Sequence, residues 1–320
     1  MPAPTTHARA LALIAAWTVA ACSSPDTSKP KSAEATPAAA PDPSPMATVE
    51  VDPNTPVEVQ GSRMYLNPDD AIISKIIARD HIWEPRETML FRAAIGPGDV
   101  VIDVGANIGY YTLLAARTVG DAGHVFAFEP DPEAFAILER NVKLNGYENV
   151  TLVPKALGAT DGTLQLYLHR TNRGDHRIYD PSGKRESVDI QMIRLDDFLV
   201  DHAGPVDFIK IDTQGAECKI LAGAAATLRA HAETAIVMEF SPKFLAEIGD
   251  DAATCLGELS ALGYSFEDIL EWEQRIAPST PAALLAAYPA SKKAFTNLFL
   301  PARQPRHDRT AAIAKARQPS

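Results

Sequence analysis

VVIDVGANIGYY, from Val100 to Tyr111, decides the fold of this chain. Val100–Ile102 is a β-branched run, as a strand buried on both faces requires. Asp103 stands where that strand gives way to a turn. Gly105 and Gly109 permit positive φ and close backbone approach. Asn107, between them, is the residue type that best tolerates the left-handed region after glycine. Tyr111–Thr118 then carries a helical apolar stripe. Strand, glycine turn and helix in this order build a nucleotide-type site at the end of a first strand.

The spacing narrows the ligand. A dinucleotide fingerprint, G-x-G-x-x-G, would need glycine where Asn107 and Tyr110 stand. An NAD-dependent oxidoreductase is therefore a poor match. A second strand, HVFAFEPD (His124–Asp131), ends in Glu129, 26 residues after Asp103. An acid at that tip can accept hydrogen bonds from both hydroxyls of a ribose. Asp131 is a candidate N-cap, with Pro132 at the first helical position.

Outward from these blocks, strands and helices alternate. Further strands are expected at Val150–Val153, Val206–Ile211, Ala235–Phe240, from Gly263, and at Phe295–Leu300. Helices are expected at Ile108–Val119, Asp131–Asn145 and Ala216–Arg229. Upstream, Val57–Leu66 reads as a hairpin around Gln60-Gly61-Ser62, followed by helices at Asp69–Arg79 and Arg86–Ile95. The segment between them, His81–Pro85, is a candidate wall of the cofactor site. The fold class is α/β: a doubly wound, mostly parallel seven-stranded sheet with a small N-terminal cap. A polar excursion with strands at Thr163–Leu168 and Ser187–Ile193 interrupts it. Residues 301–320 read as a disordered basic tail.

The 320 residues carry a formal net charge of −11, which argues against a nucleic-acid partner. The three cysteines, Cys22, Cys218 and Cys255, have no metal-type spacing, and no metal is expected. Cys218 and Cys255 read as inert buried thiols. Leu11–Cys22 is an apolar segment too short for a comfortable membrane span. Its end, Val19-Ala20-Ala21-Cys22, resembles a bacterial lipobox, which implies a lipid anchor through Cys22. Residues 23–56 follow as a Pro/Ala-rich linker, with eight prolines from Pro25 to Pro56. Two placements stay open: a membrane-anchored lipoprotein, or a cytoplasmic protein started at Met46 or Met64.

The pattern D-x-G-x-N-x-G at Asp103–Gly109 resembles motif I of class I S-adenosylmethionine-dependent methyltransferases. NVKLNGYENVTLVPKALG (Asn141–Gly158), VDFIKIDTQGAECKILAGA (Val206–Ala224) and AIVMEFSP (Ala235–Pro242) resemble ordered blocks of the FkbM-type family. The resemblance covers residues 57–300. Its commonest form has Glu where this chain has Gln214. It implies S-adenosylmethionine bound by Asp103, Gly105, Asn107, Gly109, Glu129, Pro130 and Asp212, with the adenine beside Lys155 and Ala156. It also implies O-methylation of a sugar or other small polyhydroxylated acceptor. A sulfonium cofactor is a cation, so four strand-end acids (Asp103, Glu129, Asp212 and Glu239) suit it better than they suit a pyrophosphate.

HRTNRGDHRIYDP (His169–Pro181) concentrates two His, three Arg and two Asp between two strands. It resembles a block in a subgroup of the family and is expected to cover the acceptor. His176 is a candidate general base on an acceptor hydroxyl, with Asp212 as its rival. The other reading of His176 is a salt-bridged lid with no proton-transfer role. A competing reading of the whole chain is an exported, lipid-anchored protein that kept the fold as a binding or assembly module.

Overall fold

The computed structural model describes residues 49–180, 182–202 and 204–318. The expected export segment, Cys22, most of the linker and Met46 lie outside these residues. Of the linker, residues 49–56 are described, and they are tied to the domain. Val51 packs against the core, and Arg140 donates to the Pro53 carbonyl at 2.8 Å.

The cap begins with a hairpin of β1 (Val57–Val59) and β2 (Ser62–Met64). Its turn residues Gln60 and Gly61 both have positive φ, as a two-residue hairpin turn requires. Helices α1 (Ile73–Asp80) and α2 (Pro85–Ala94) complete the cap. The main sheet starts with β3 (Val100–Val104), α3 (Tyr110–Val119), β4 (His124–Phe128), α4 (Pro132–Asn145) and β5 (Val150–Val153). Asp131 caps α4, accepting from the backbone N–H groups of Glu133 and Ala134. Asn141 and Asn145 on α4 hold the cap hairpin through the backbones of Tyr65 and Arg63.

A separate three-stranded sheet follows: β6 (Ala156–Leu157), β7 (Gly162–Tyr167) and β8 (Ser187–Ile193), in the order β6-β8-β7. The chain then continues through α5 (Leu195–Phe198), β9 (Phe208–Ile211), α6 (Glu217–Gly223), α7 (Ala225–Ala230), β10 (Ala235–Phe240), α8 (Pro242–Glu247) and α9 (Ala252–Ala261). It closes with β11 (Phe266–Leu270), β12 (Arg275–Ser279), α10 (Pro281–Ala287), β13 (Thr296–Leu300) and α11 (Thr310–Ala316).

The main sheet has the order β12-β11-β13-β10-β9-β3-β4-β5. Strands β10, β9, β3, β4 and β5 are parallel, while β13, β11 and β12 pair antiparallel. Side chains alternate between two cores. Ile102, Val104, Ile236, Met238 and Phe240 enter one, and Val101, Ala235 and Val237 enter the other. This two-sided burial explains why the parallel strands read as continuous apolar runs.

Three expectations need correction. The sheet has eight strands, not seven, because β11 turns back into β12. Pro278 is tolerated in β12 because that strand lies at the sheet edge. Cys218 on α6 and Cys255 on α9 are joined in a disulfide, with Cα atoms 5.8 Å apart; they are not free thiols. Residues 301–318 are ordered rather than a disordered basic tail. Arg309 makes a two-pronged ion pair with Asp99 at 2.8 and 2.9 Å. Arg306 meets Asp207, and Arg317 meets Glu267. Asp99 and Asp207 precede β3 and β9, so these arginines bind acids at the end of the sheet opposite the glycine turn. Among the described residues no helix is long and apolar enough to cross a membrane.

Candidate active site

The carboxyl ends of β3, β4, β5 and β9 open into a cleft. Gly105, Asn107, Glu129, Pro130, Lys155, Ala156 and Asp212 all line it. The glycine turn forms as its sequence demands. Gly105, Asn107 and Gly109 have φ of 81°, 50° and 98°. Gly105 leaves no room for a side chain, since a Cβ there would lie 2.0 Å from the Asp212 carbonyl oxygen. The N–H groups of Gly105 and Ala106 both donate to the Phe128 carbonyl, at 3.0 Å each.

Glu129 reaches into this turn. Oε2 accepts from Asn107 N–H at 2.7 Å, and Oε1 accepts from Asp131 N–H at 2.8 Å. Each oxygen keeps acceptor capacity toward the cleft. Burial pushes its carboxyl up to about 8, against the pull of those two N–H groups. Asp103 does not line the cleft. It is 1% exposed and accepts from Thr112 Oγ1 at 2.6 Å. Its place is beneath the turn, where burial raises its pKa and Lys210 and Thr112 pull it back.

His169–Asp180 forms a lid across the cleft, from Arg173 at the Glu129 end to Arg177, whose guanidinium lies over the Phe244 ring on α8. It springs from the β7–β8 hairpin, whose β8 pairs with β6. Asn107 Nδ2 donates to the Arg173 carbonyl at 3.5 Å, and the Arg173 guanidinium pairs with Glu133 at 3.0 Å. His176 is a fastening, not a free base. Its Nδ1 accepts from His169 N–H at 3.0 Å. Its Nε2 lies 3.3 Å from Asp131 Oδ2, without hydrogen-bond alignment. With Nδ1 accepting, the neutral ring carries its proton on Nε2, and no lone pair faces an acceptor. Burial opposes ionisation of Asp131, yet His176 and the capping N–H groups hold its carboxyl below the usual range.

The second sheet supplies an apolar wall that the sequence reading missed. Leu164, Leu166, Ile190 and Met192 line the cleft. The alternation in Thr163–Leu168 was the available signal, but it does not say which face meets a ligand.

Beyond Asp212 the acids form a polar belt. Lys210 Nζ lies 3.3 Å from Asp212 Oδ2, 3.5 Å from Glu87 Oε1, and 4.4 Å over the Tyr111 ring. Burial alone would lower its pKa, but Asp212, Glu87, Glu84 and Asp103 raise it. Gln214, with φ of 56°, donates from Nε2 to Glu239 Oε1 at 3.0 Å and to Asp212 Oδ1 at 3.4 Å. Asn297 donates to Glu84 Oε1 at 3.2 Å. Burial pushes Glu87 up to about 7, and it pushes Glu84 and Glu239 well above the usual carboxylate range. The His81–Pro85 segment thus contributes to this belt through Glu84, not to the cofactor wall. Glu217 steadies the loop from inside, its Oε1 accepting from Thr213 N–H, Thr213 Oγ1 and Gly215 N–H. Among the described residues no group of acids, His or Cys is arranged to hold a metal ion.

The sheet order, the glycine turn and the strand-end acids define a class I methyltransferase architecture. The chain belongs to the FkbM methyltransferase family, whose domain model matches residues 103–272. A model of the TRM5/TYW2 methyltransferase domain also matches residues 47–158. "Methyltransferase 1" of Beauveria bassiana is 30% identical over 143 residues, covering 38% of this chain and 57% of that protein. "Methyltransferase sdnD" of Sordaria araneosa is 25% identical over 205 residues, covering 53% and 76%. The 31-O-demethyl-FK506 methyltransferase FkbM of Streptomyces tacrolimicus is 30% identical over 156 residues, covering 40% and 60%. This chain therefore spans less than two thirds of the first and third of these relatives.

Proposed function

We propose that this methyltransferase uses S-adenosylmethionine to O-methylate a hydroxyl of a small, polyhydroxylated acceptor. One observation carries the cofactor assignment. Gly105 is seated without side-chain room against the Asp212 backbone, and Glu129 is locked to the Asn107 N–H beside it. The residues fit the group. Glu129 has acceptor capacity for a ribose, and Asp212 gives the cleft a negative end for a sulfonium. Lys155 and Ala156 line the cleft together with Leu164 and Met192, and this largely apolar lining suits a purine. When bound, the cofactor supplies a methyl group on positively charged sulfur. The chain's own part is to hold both reactants in line and exclude water. Hydroxyl methylation is favoured by the relative whose name specifies a 31-O position.

The test is titration calorimetry of the purified protein with S-adenosylmethionine. Glu129→Ala removes both acceptor oxygens, and affinity should fall about 10- to 100-fold. A wild-type protein that takes up no cofactor overturns the reading.

Export belongs to the same proposal. The Cys218–Cys255 disulfide suits an oxidising compartment, as does the lipobox-like end at Cys22. Intact mass from the native host should show diacylglyceryl on Cys22. A chain beginning at Met46 or Met64 would exclude it.

A further inference from the structure

We infer that Glu239 is the catalytic base of the transfer, its Oε2 receiving the acceptor's proton while Asp212 orients the same hydroxyl. The inference rests on the methyltransferase reading above and assigns the proton-transfer role, which neither His176 nor Asp212 fills well. His176 has its one neutral lone pair on the His169 N–H. Asp212 has both oxygens engaged, one by Lys210 and the other by Gln214.

Glu239 differs from both. It is the next-to-last residue of β10, is 6% exposed, and uses only Oε1, which accepts from Gln214. Its Oε2 is buried with no hydrogen-bond partner. A buried carboxylate oxygen without a partner needs one. The Gln214 amide that holds Oε1 also reaches Asp212, so the free Oε2 belongs to the same constellation as the cleft-lining acid. An acceptor can approach Asp212, whose side chain is 32% exposed, and Gln214 links that acid to Glu239. The groups facing Glu239 are Asp212 after β9, Glu217 on α6, Glu84 ahead of α2 and Arg177 from the lid. Burial and the three acids raise its basicity, while Arg177 lowers it. A carboxylate raised this way is a stronger proton acceptor than an ordinary one.

The chemistry balances. The acceptor O–H bond breaks and its proton passes to Glu239 Oε2. The oxygen's electron pair forms the new O–CH3 bond. The C–S bond breaks, its pair staying on sulfur, which becomes neutral. Water then takes the proton from Glu239.

Glu239→Gln keeps the bond from Gln214 and removes the base; Glu239→Asp keeps a carboxylate. Both are compared with wild type by release of S-adenosylhomocysteine. The probes are methyl α-D-glucopyranoside, myo-inositol and cyclohexanol. Glu239→Gln should lower kcat about 10²- to 10³-fold, with Glu239→Asp retaining more. The rise of kcat/KM with pH in wild type should disappear in Glu239→Gln. Affinity for S-adenosylhomocysteine should stay within about threefold, because Glu239 does not line the cofactor cleft. Turnover of Glu239→Gln near the wild-type rate, or an unchanged pH limb, overturns the assignment. If wild type turns over no probe, saturation-transfer NMR of the same probes on the S-adenosylhomocysteine complex decides. Signals lost in Glu239→Gln support the role; equal signals, or none with wild type, overturn it. Absence of S-adenosylhomocysteine binding by wild type is a separate failure, that of the methyltransferase reading itself.

Discussion

Gly105→Ala should leave a protein that binds S-adenosylmethionine far more weakly and melts well below wild type. Two effects add at this position. The backbone has φ of 81°, which an L side chain adopts only at a cost of about 1 kcal/mol. The new Cβ would also sit 2.0 Å from the Asp212 carbonyl oxygen. That oxygen is backbone, so no rotamer change relieves the clash, and overpacking of this kind costs roughly 1–3 kcal/mol. The expected loss is about 3 kcal/mol, a large share of the roughly 5–15 kcal/mol that holds a domain folded. Relief requires β3 and the Asp212 loop to part, which widens the crevice the cofactor must bridge. Affinity should drop by about 10²-fold or more, since misplacement by about 1 Å can cost that much. The checks are thermal melting by circular dichroism and calorimetry with the cofactor. A variant that binds within about tenfold of wild type would falsify the close-approach role of this glycine. Gly98→Ala is the comparison: φ is also positive, at 83°, but nothing lies within 4 Å of the added Cβ. It should cost only the backbone term.

The sequence already contained Gly105, and the reason is local. A turn that needs positive φ admits few residues, and a strand buried on both faces admits few others. Val100–Gly109 therefore announces its own geometry. The N-cap at Asp131 was legible for the same reason, because it acts within three residues of itself. What stayed hidden depends on partners far along the chain. Arg309 reads as a solvated tail charge until Asp99 is seen beside it, 210 residues away in sequence. Cys218 and Cys255 look like two buried thiols until α6 and α9 are packed together. Asp103 falls at a strand end, as expected, but its neighbour Thr112 turns it inward. His176 shows the limit of composition: a histidine among arginines and acids serves equally well as base or clasp until its two nitrogens are assigned. The eighth strand was missed because Arg275–Ser279, with its proline, has the pattern of a loop. Only an edge position lets such a segment pair.

Lys210→Met should destabilise the folded protein by roughly 3–5 kcal/mol, the usual result of removing one partner from a buried ion pair. Lys210 is 3% exposed and is the cation that Glu87 and Asp212 share. Methionine fills much of the same volume and keeps contact with the Tyr111 ring, so the loss reports charge rather than packing. Glu87 is the member most affected, because it is 0% exposed and neither of its oxygens has a hydrogen bond. The sign of the pH dependence follows from its pKa, raised by burial from 4.5 to about 7 in the folded state. Below 4.5 the carboxyl is protonated in both folded and unfolded chains, and its contribution is intact. As pH rises through 4.5 the unfolded chain ionises first, and stability is lost until the folded group also ionises near 7. Without Lys210 that upper limit moves higher, so the lossy window widens. Urea unfolding of Lys210→Met should therefore show a deficit that is greatest at about pH 8 and shrinks toward pH 5. The double variant Lys210→Met/Glu87→Leu removes the stranded acid as well and should recover about half of the loss. A deficit that stays constant across this pH range, or a double variant no better than the single, would mean that Lys210 acts through packing and not through the acids around it.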